Sequence, residues 1–359
     1  MLKGKVVYVI TTGATKSKNI KNLLDDLKSN GATCIVMPTE MSCSIMDLSV
    51  LDGYRIKKEY TFNHCINEDR IPEEDIVIVA PCTFNTFSKI ANGIADNYPL
   101  SIIHEAIGNG KNIVIAPSMN KGYFTHPITR ENFNKILSFG NTSIIYPEFV
   151  YDESGKLEKI TMAPWEKILD TVCHKYSKIR YQGEKIDFNM EKIIELYYPE
   201  FYKTGKYIQE NQYSNGIAGF IAKRIPEGIL ITSTSSSLGN LSREHLTLIH
   251  NWNNHFVRWS GVNMPSSETP LVLELFDTFP NADVVVHGHC CSITYNPKMV
   301  KYNSKEYLRY GCWNELYKIK PILDVYQYAI MKLHGEIILS DTFDNALKKY
   351  LEMYHSTLE

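Results

Sequence analysis

The chain has 359 residues, 44% hydrophobic and 22% charged, with Lys+Arg 38 against Asp+Glu 40. Such a length predicts two or three domains at roughly 100–200 residues each, and the moderate, mixed charge excludes a disordered chain. A net charge of -2 and a pI near 6.6 exclude a general affinity for nucleic acid, which needs a strong excess of Lys and Arg.

The first apolar run, Val6–Ile10, is too short for a secretory signal and is followed at once by Thr11, Thr12 and Gly13, so it predicts a first strand. No run approaches the ~18 apolar residues of a membrane span. The eight cysteines show no CxxC pair or regular framework, which predicts thiols in a reducing, cytoplasmic setting. After the first strand the periodicity predicts a helix from about Asn19 to Lys28, then short apolar runs at Cys34–Met37, Ile76–Ala80, Ile113–Ala116 and Ser143–Tyr146. Runs of this kind are buried parallel strands covered by helices on both faces, which implies a Rossmann-like, doubly wound α/β sheet. Sheets of that type bind ligands at the carboxyl ends of their strands.

From Lys175 to Asp187 the sequence is polar and lacks apolar periodicity, which predicts a linker over 175–187 between domains at 1–174 and 188–359. The second half predicts helices at Met190–Leu196 and Phe201–Asn211, a strand at Gly228–Thr232, and a helix opened by Ser242. A helix over Ser267–Phe279, a strand at Val284–Val286 and a helix over Pro321–Leu333 follow. A strand at Ile337–Leu339 and a last helix over Thr342–Tyr354 complete an α/β layered domain.

Three segments of the first half carry chemistry. Thr11-Thr12-Gly13-Ala14-Thr15-Lys16-Ser17 joins a strand to a helix, where hydroxyls and backbone N–H groups make a phosphate cradle, although ordinary strand-to-helix loops share that composition. Pro81-Cys82-Thr83-Phe84-Asn85-Thr86 and Pro117-Ser118-Met119-Asn120 each follow a strand. Together, over roughly residues 4–172, these resemble the FMN-dependent cysteine decarboxylase flavoproteins, the phosphopantothenoylcysteine decarboxylase family, with its PxxxNT and PxMN motifs. The resemblance implies a flavodoxin-like fold and FMN bound by Gly13, Ser17, Thr39, Thr83 and Thr86, with Asn85 and Asn120 contacting flavin or a substrate carboxylate. It also makes His64 the candidate for the histidine that assists oxidation of a cysteinyl side chain, against a plain solvent-exposed loop histidine. His104 and His126 are expected to be structural or surface residues. The family's flap cysteine has no counterpart between Cys82 and Cys173, so the resemblance favours a decarboxylase that stops at an unsaturated product, or other flavin chemistry.

In the second half, His287 and His289 flank Gly288. Residues i and i+2 of a strand share a face, so the pair suits one metal ion, with His334 as third ligand; packing or hydrogen bonding is the alternative. Pro265-Ser266-Ser267-Glu268, a helix, and FDTFPNADVVVHGHC resemble the class II aldolase/adducin family, over about residues 190–356. The resemblance makes His287, His289 and His334 the Zn²⁺ ligands and Glu268 the acid/base, where the alternative for Glu268 is a carboxylate satisfied by its helix dipole. SNGIAGFIAKR and TSTSSSLGN depart from the family's phosphate-holding loops.

Three functions follow as expectations. One is a fused enzyme, an FMN half joined to a zinc-dependent aldolase, epimerase or dehydratase for a small hydroxylated carbonyl compound. The second is a flavin-binding or scaffold protein with one or both sites inactive. In the third, only the flavin half is active and the other half drives assembly. Small-molecule substrates, a homo-oligomer and no nucleic-acid or membrane partner are expected throughout.

Overall fold

In the computed structural model, which describes residues 1–60, 70–152, 154–214 and 216–358, the chain divides into two units, Met1–Ser177 and Lys178–Glu359.

The first unit is built on a parallel sheet of six strands: β1 Val6–Thr11, β2 Thr33–Pro38, β3 Arg55–Ile56, β4 Ile76–Cys82, β5 Asn112–Pro117 and β6 Thr142–Ile144. Their order, β3-β2-β1-β4-β5-β6, reverses direction between β1 and β4, the switch point at which open α/β sheets hold ligands. Every residue of β4 is buried, as a strand covered on both faces requires. The helices are α1 Ile20–Ser29, α2 Glu40–Ile45, α3 Phe84–Ala91, α4 Tyr98–Gly108, α5 Lys121–Phe124, α6 Pro127–Leu137 and α7 Trp165–Tyr176. In α1, Ile20, Leu23, Leu24 and Leu27 are buried at the spacing that makes one apolar helix face. A hairpin, β7 Glu148–Tyr151 with β8 Leu157–Thr161, was not expected from sequence. Its alternation is weak because most of its residues are only half-buried or exposed.

The second unit is a largely antiparallel sheet of eight strands. They are β9 Gln182–Lys185, β10 Phe220–Ile225, β11 Gly228–Thr232, β12 Leu246–Asn253, β13 Phe256–Ser260, β14 Val284–Gly288, β15 Tyr328–Met331 and β16 Gly335–Ser340. Their order is β15-β16-β14-β10-β11-β12-β13-β9. Five helices accompany it: α8 Glu191–Glu210, α9 Thr269–Thr278, α10 Cys291–Thr294, α11 Lys320–Tyr326 and α12 Phe343–Leu358. Strand alternation divides the core in two. Val285, Ile231 and Ile337 pack with α9 and α11, while Val284, Val286, Leu230 and Ile338 pack with α8, α10 and α12.

Four expectations are corrected. The linker is structured: Gln182–Lys185 pairs in parallel with β13, and Tyr181, 7% exposed, belongs to a core cluster. A four-residue edge strand of exposed polar residues leaves no apolar signal to find. The two helices over 190–211 are one, with Pro199 inside α8; a proline in a helix interior removes one N–H donor and is a natural but misleading break signal. Ser242 caps a single 3₁₀ turn, Arg243–His245, and the chain then extends as β12 because Leu246 and Leu248 face one core and Ile249 the other. Finally, α11 stops at Gln327 in the left-handed conformation (φ 54°), and Tyr328–Met331 is a strand whose residues alternate between the two cores.

The loop before α11 is held by Glu315, whose side chain is 5% exposed and pairs with Arg309 at 2.8 Å and with Lys318. Burial alone would raise its carboxyl pKa, but the hydrogen bonds and charges of Lys318 and Arg309 outweigh it and hold the group below its ordinary value. Glu315→Ala leaves the nearly buried Lys318 ammonium with the Tyr307 carbonyl but no counter-charge and should cost roughly 3 kcal/mol in a denaturant melt. Because the native pKa is depressed, this stabilisation is present above the unfolded value of about 4.3 and is lost as pH falls through the native one. The variant should therefore show a shallower loss of stability on acidification than the wild type.

Candidate functional site

In the first unit a cleft of about 1080 Å³ opens at the carboxyl ends of β1, β2, β4 and β5, just above the roughly 300–1,000 Å³ typical of small-molecule sites. Gly13, Thr39, Thr83, Asn85, Thr86 and Asn120 line it. Ser17 is fully buried behind the loop, where its hydroxyl donates to the Thr12 carbonyl at 2.6 Å. His64 lies outside the described residues. A Cβ at Gly13 would stand 2.2 Å from Met41 Cγ, so only glycine lets the loop approach that side chain. The Asn120 side-chain oxygen accepts from the Tyr123 amide at 3.1 Å and opens α5.

Sequence reasoning did not single out Thr12 as a site residue. Its hydroxyl donates to the Pro81 carbonyl at 2.7 Å and accepts from the Thr83 amide at 3.0 Å, locking the β1 and β4 loops together across the switch point, beside the cis Ala80–Pro81 bond. Nor did it single out the aromatic wall, where Phe84 stacks on Tyr123 with centroids 4.7 Å apart. Thr12 and Phe84 lie inside motifs at strand ends and Tyr123 three residues beyond one, but pairing across two loops has no local sequence pattern. Cys82 is fully buried, and burial pushes its thiol pKa well up, which makes it a packing residue rather than a nucleophile. The seven described cysteines are thiols. Thr12→Val removes the acceptor of the Thr83 amide and leaves the Pro81 carbonyl only the Thr12 amide at 3.3 Å, and should cost about 1–3 kcal/mol. It should also weaken retention of any ligand in this cleft, read by thermal melts with and without added FMN.

In the second unit, ligand atoms of His287, His289 and His334 all lie within 4.8 Å of one another. The His287 imidazole Nδ1 bonds the Glu336 carbonyl at 2.8 Å, so Nδ1 carries the hydrogen and Nε2 is the bare nitrogen. That Nε2 is buried without a hydrogen-bond partner, and burial pushes the His287 pKa down to about 4, against the opposing effect of the carbonyl bond. A neutral, buried imidazole with an unpartnered nitrogen aimed at two other histidines is the donor chemistry of a Zn²⁺-type site. Two glycines make the convergence possible. A Cβ at Gly335 would lie 2.2 Å from the Gly288 carbonyl and 2.9 Å from His287 Cε1, and one at Gly288 would collide with the Tyr350 hydroxyl.

Glu268, 5% exposed, immediately precedes α9 without a side-chain capping bond and places Oε1 3.5 Å from His334 Nε2. Its turn is fixed from three sides. Ser266 Oγ accepts from the Glu268 amide at 3.3 Å, the Ser266 amide donates to the Thr232 carbonyl at the end of β11, and the Tyr181 hydroxyl donates to the Pro265 carbonyl at 3.0 Å. Tyr310 joins the site: its hydroxyl bonds Ser267, its ring centre lies 6.0 Å from that of His334, and Arg180 donates to its carbonyl at 3.0 Å. Arg180 and Tyr181 come from the segment read as a linker, so their part was hidden by its polar surroundings.

The coenzyme A biosynthesis bifunctional protein CoaBC of Thermococcus kodakarensis is 28% identical over 191 residues, 52% of this chain and 45% of that protein. The chain thus spans under half the length of that relative. Among solved structures, the FMN binding protein AtHal3 is 22% identical over 48% of this chain and 97% of its own, with TM-score 0.42. L-fuculose 1-phosphate aldolase is 18% identical over 44% of this chain and 82% of its own, with TM-score 0.39. The chain joins a unit that matches the Flavoprotein family model, over residues 1–177, to one that matches the class II aldolase and adducin N-terminal domain model, over residues 199–356.

Proposed function

We propose that the protein is a fused cytoplasmic enzyme. The first unit binds FMN and is decarboxylase-like. The second holds Zn²⁺ and cleaves, epimerises or dehydrates a small hydroxylated carbonyl compound. The observation that carries this reading is the convergence of three histidines beside a buried carboxylate, Glu268.

A bound zinc ion supplies a Lewis acid for a carbonyl or enediolate oxygen. His287, His289 and His334 hold it, and the bond from His287 to the Glu336 carbonyl fixes the tautomer that keeps Nε2 available. Glu268, immediately before α9, would take a proton from the substrate carbon and return it. The Tyr310–Ser267 pair puts a hydroxyl donor on the same side as His334. In the first unit, FMN supplies a two-electron acceptor. Thr12 holds the two loops in register, Gly13 and Thr83 to Thr86 border the cleft, and Phe84 with Tyr123 gives a planar face for a ring. The experiment is flavin and zinc titration into the full chain, with each ligand raising the melting temperature.

A second reading of the first unit is favoured by its hairpin. No cysteine stands in β7, β8 or their turn, so no thiol there can reprotonate a decarboxylated product. With FMN bound as the two-electron acceptor, a single turnover of a cysteinyl carboxylate should stop at the enethiol, detected as stoichiometric CO₂ release without a saturated thiol. FMN binding with no CO₂ would leave a flavin-binding role alone. The chain is also proposed to form a homo-oligomer, which light scattering checks.

A further inference from the structure

Behind the histidine cluster lies a carboxylate that the proposed chemistry does not use. Glu336 is fully buried and sits directly opposite Gly288 in the β14–β16 pairing. Its neighbour Ile337 faces the core that contains α9, whereas Glu336 faces the opposite side, toward α12. Its backbone carbonyl accepts from His287. Its side chain accepts from the Cys290 amide at 3.0 Å, the Thr294 hydroxyl at 2.8 Å and the Tyr350 hydroxyl at 2.5 Å.

These contacts have two consequences. The Cys290 amide belongs to the peptide that follows His289, and the His289 amide is itself tied to the Tyr213 carbonyl at 3.0 Å. Glu336 thus grips one histidine ligand through its backbone and the turn of a second through its side chain, while His334 lies two residues before it. All three donors to the carboxylate are neutral groups, and no cationic side chain bonds it among the described residues. A fully buried carboxylate held only by neutral donors is costly in isolation. Gly288 is the residue that admits it, since a Cβ there would lie 2.7 Å from Glu336 Oε1.

We propose that Glu336 is a positioning residue of the metal centre, which orients His287 and His289 from behind. The proposal rests on the zinc reading above.

The test is Co²⁺ and Zn²⁺ affinity of the full chain, measured by competition with a chromophoric chelator, for wild type and Glu336→Gln. Gln keeps the volume and one acceptor but turns the other oxygen into an NH₂ donor, so it cannot accept from both the Cys290 amide and the Thr294 hydroxyl. Affinity should fall roughly 10–100-fold, while the metal-free variant melts no lower than the metal-free wild type. A purely structural role gives the reverse, a lower melting temperature with unchanged affinity, and overturns the proposal. Should Glu336→Gln fail to fold, Thr294→Val removes one of the three donors and should still weaken Co²⁺ binding and shift its visible bands; wild-type affinity with an unshifted spectrum overturns the proposal. Wild-type protein that binds neither metal overturns the zinc reading and this proposal together, whereas wild-type binding with no change in Glu336→Gln overturns this proposal alone.

Discussion

Replacing His289 by alanine should yield a folded protein that no longer holds zinc through dialysis. A catalytic zinc needs three protein ligands and an open position, and the described residues offer three histidines there. The loss should exceed about 100-fold in affinity, beyond the roughly 10–100-fold range of changes made one layer further out. His289 is the informative position because its ring is only half-buried, so its removal leaves little cavity. His287→Ala should lose metal equally and also cost roughly 2–4 kcal/mol of stability, since it empties a fully buried site and strands the Glu336 carbonyl. Metal analysis with a thermal melt of both variants checks the pair. The expected outcome is equal metal loss with unequal stability loss. Retention of zinc by His289→Ala would show that the ring is not a ligand.

The second large effect is expected at Glu268. Glu268→Gln keeps the shape and the amide contact to Ser266 Oγ but removes the group that can accept a proton. Metal content should be unchanged, and proton transfer at the carbon beside the carbonyl should slow by about 10²–10⁴-fold, the usual worth of a general base. Deuterium wash-in to small hydroxyketones, followed by NMR, reads that step without requiring the natural substrate. An unchanged exchange rate with zinc bound would leave Glu268 a carboxylate satisfied by its helix dipole and favour a second unit that serves assembly.

The parallel sheet of the first unit was legible because its strands are continuous β-branched runs buried on both faces, as in β4 and β5. The second unit was harder. Its strands β12 and β15 contribute to two cores at once, so each shows an apolar run that a helix would also show. The three histidines and Glu268 were visible as sequence motifs, and the cleft residues Gly13, Thr83, Asn85, Thr86 and Asn120 stood in motifs at strand ends. What the linear text could not display were the contacts made across elements. Thr12 bridges two loops, Arg180 and Tyr181 reach back from a polar stretch to Tyr310 and Pro265, and Glu336 meets α10 and α12. Ser17 shows the converse, a residue type suited to phosphate that the fold turns inward to its own loop.

Visible absorption spectroscopy combined with metal analysis, on the full chain purified without chelator, tests the fused-enzyme reading most directly. The expected result is the two-banded spectrum of an oxidised flavin together with stoichiometric zinc. Colourless, metal-free protein that takes up neither FMN nor Zn²⁺ would contradict it.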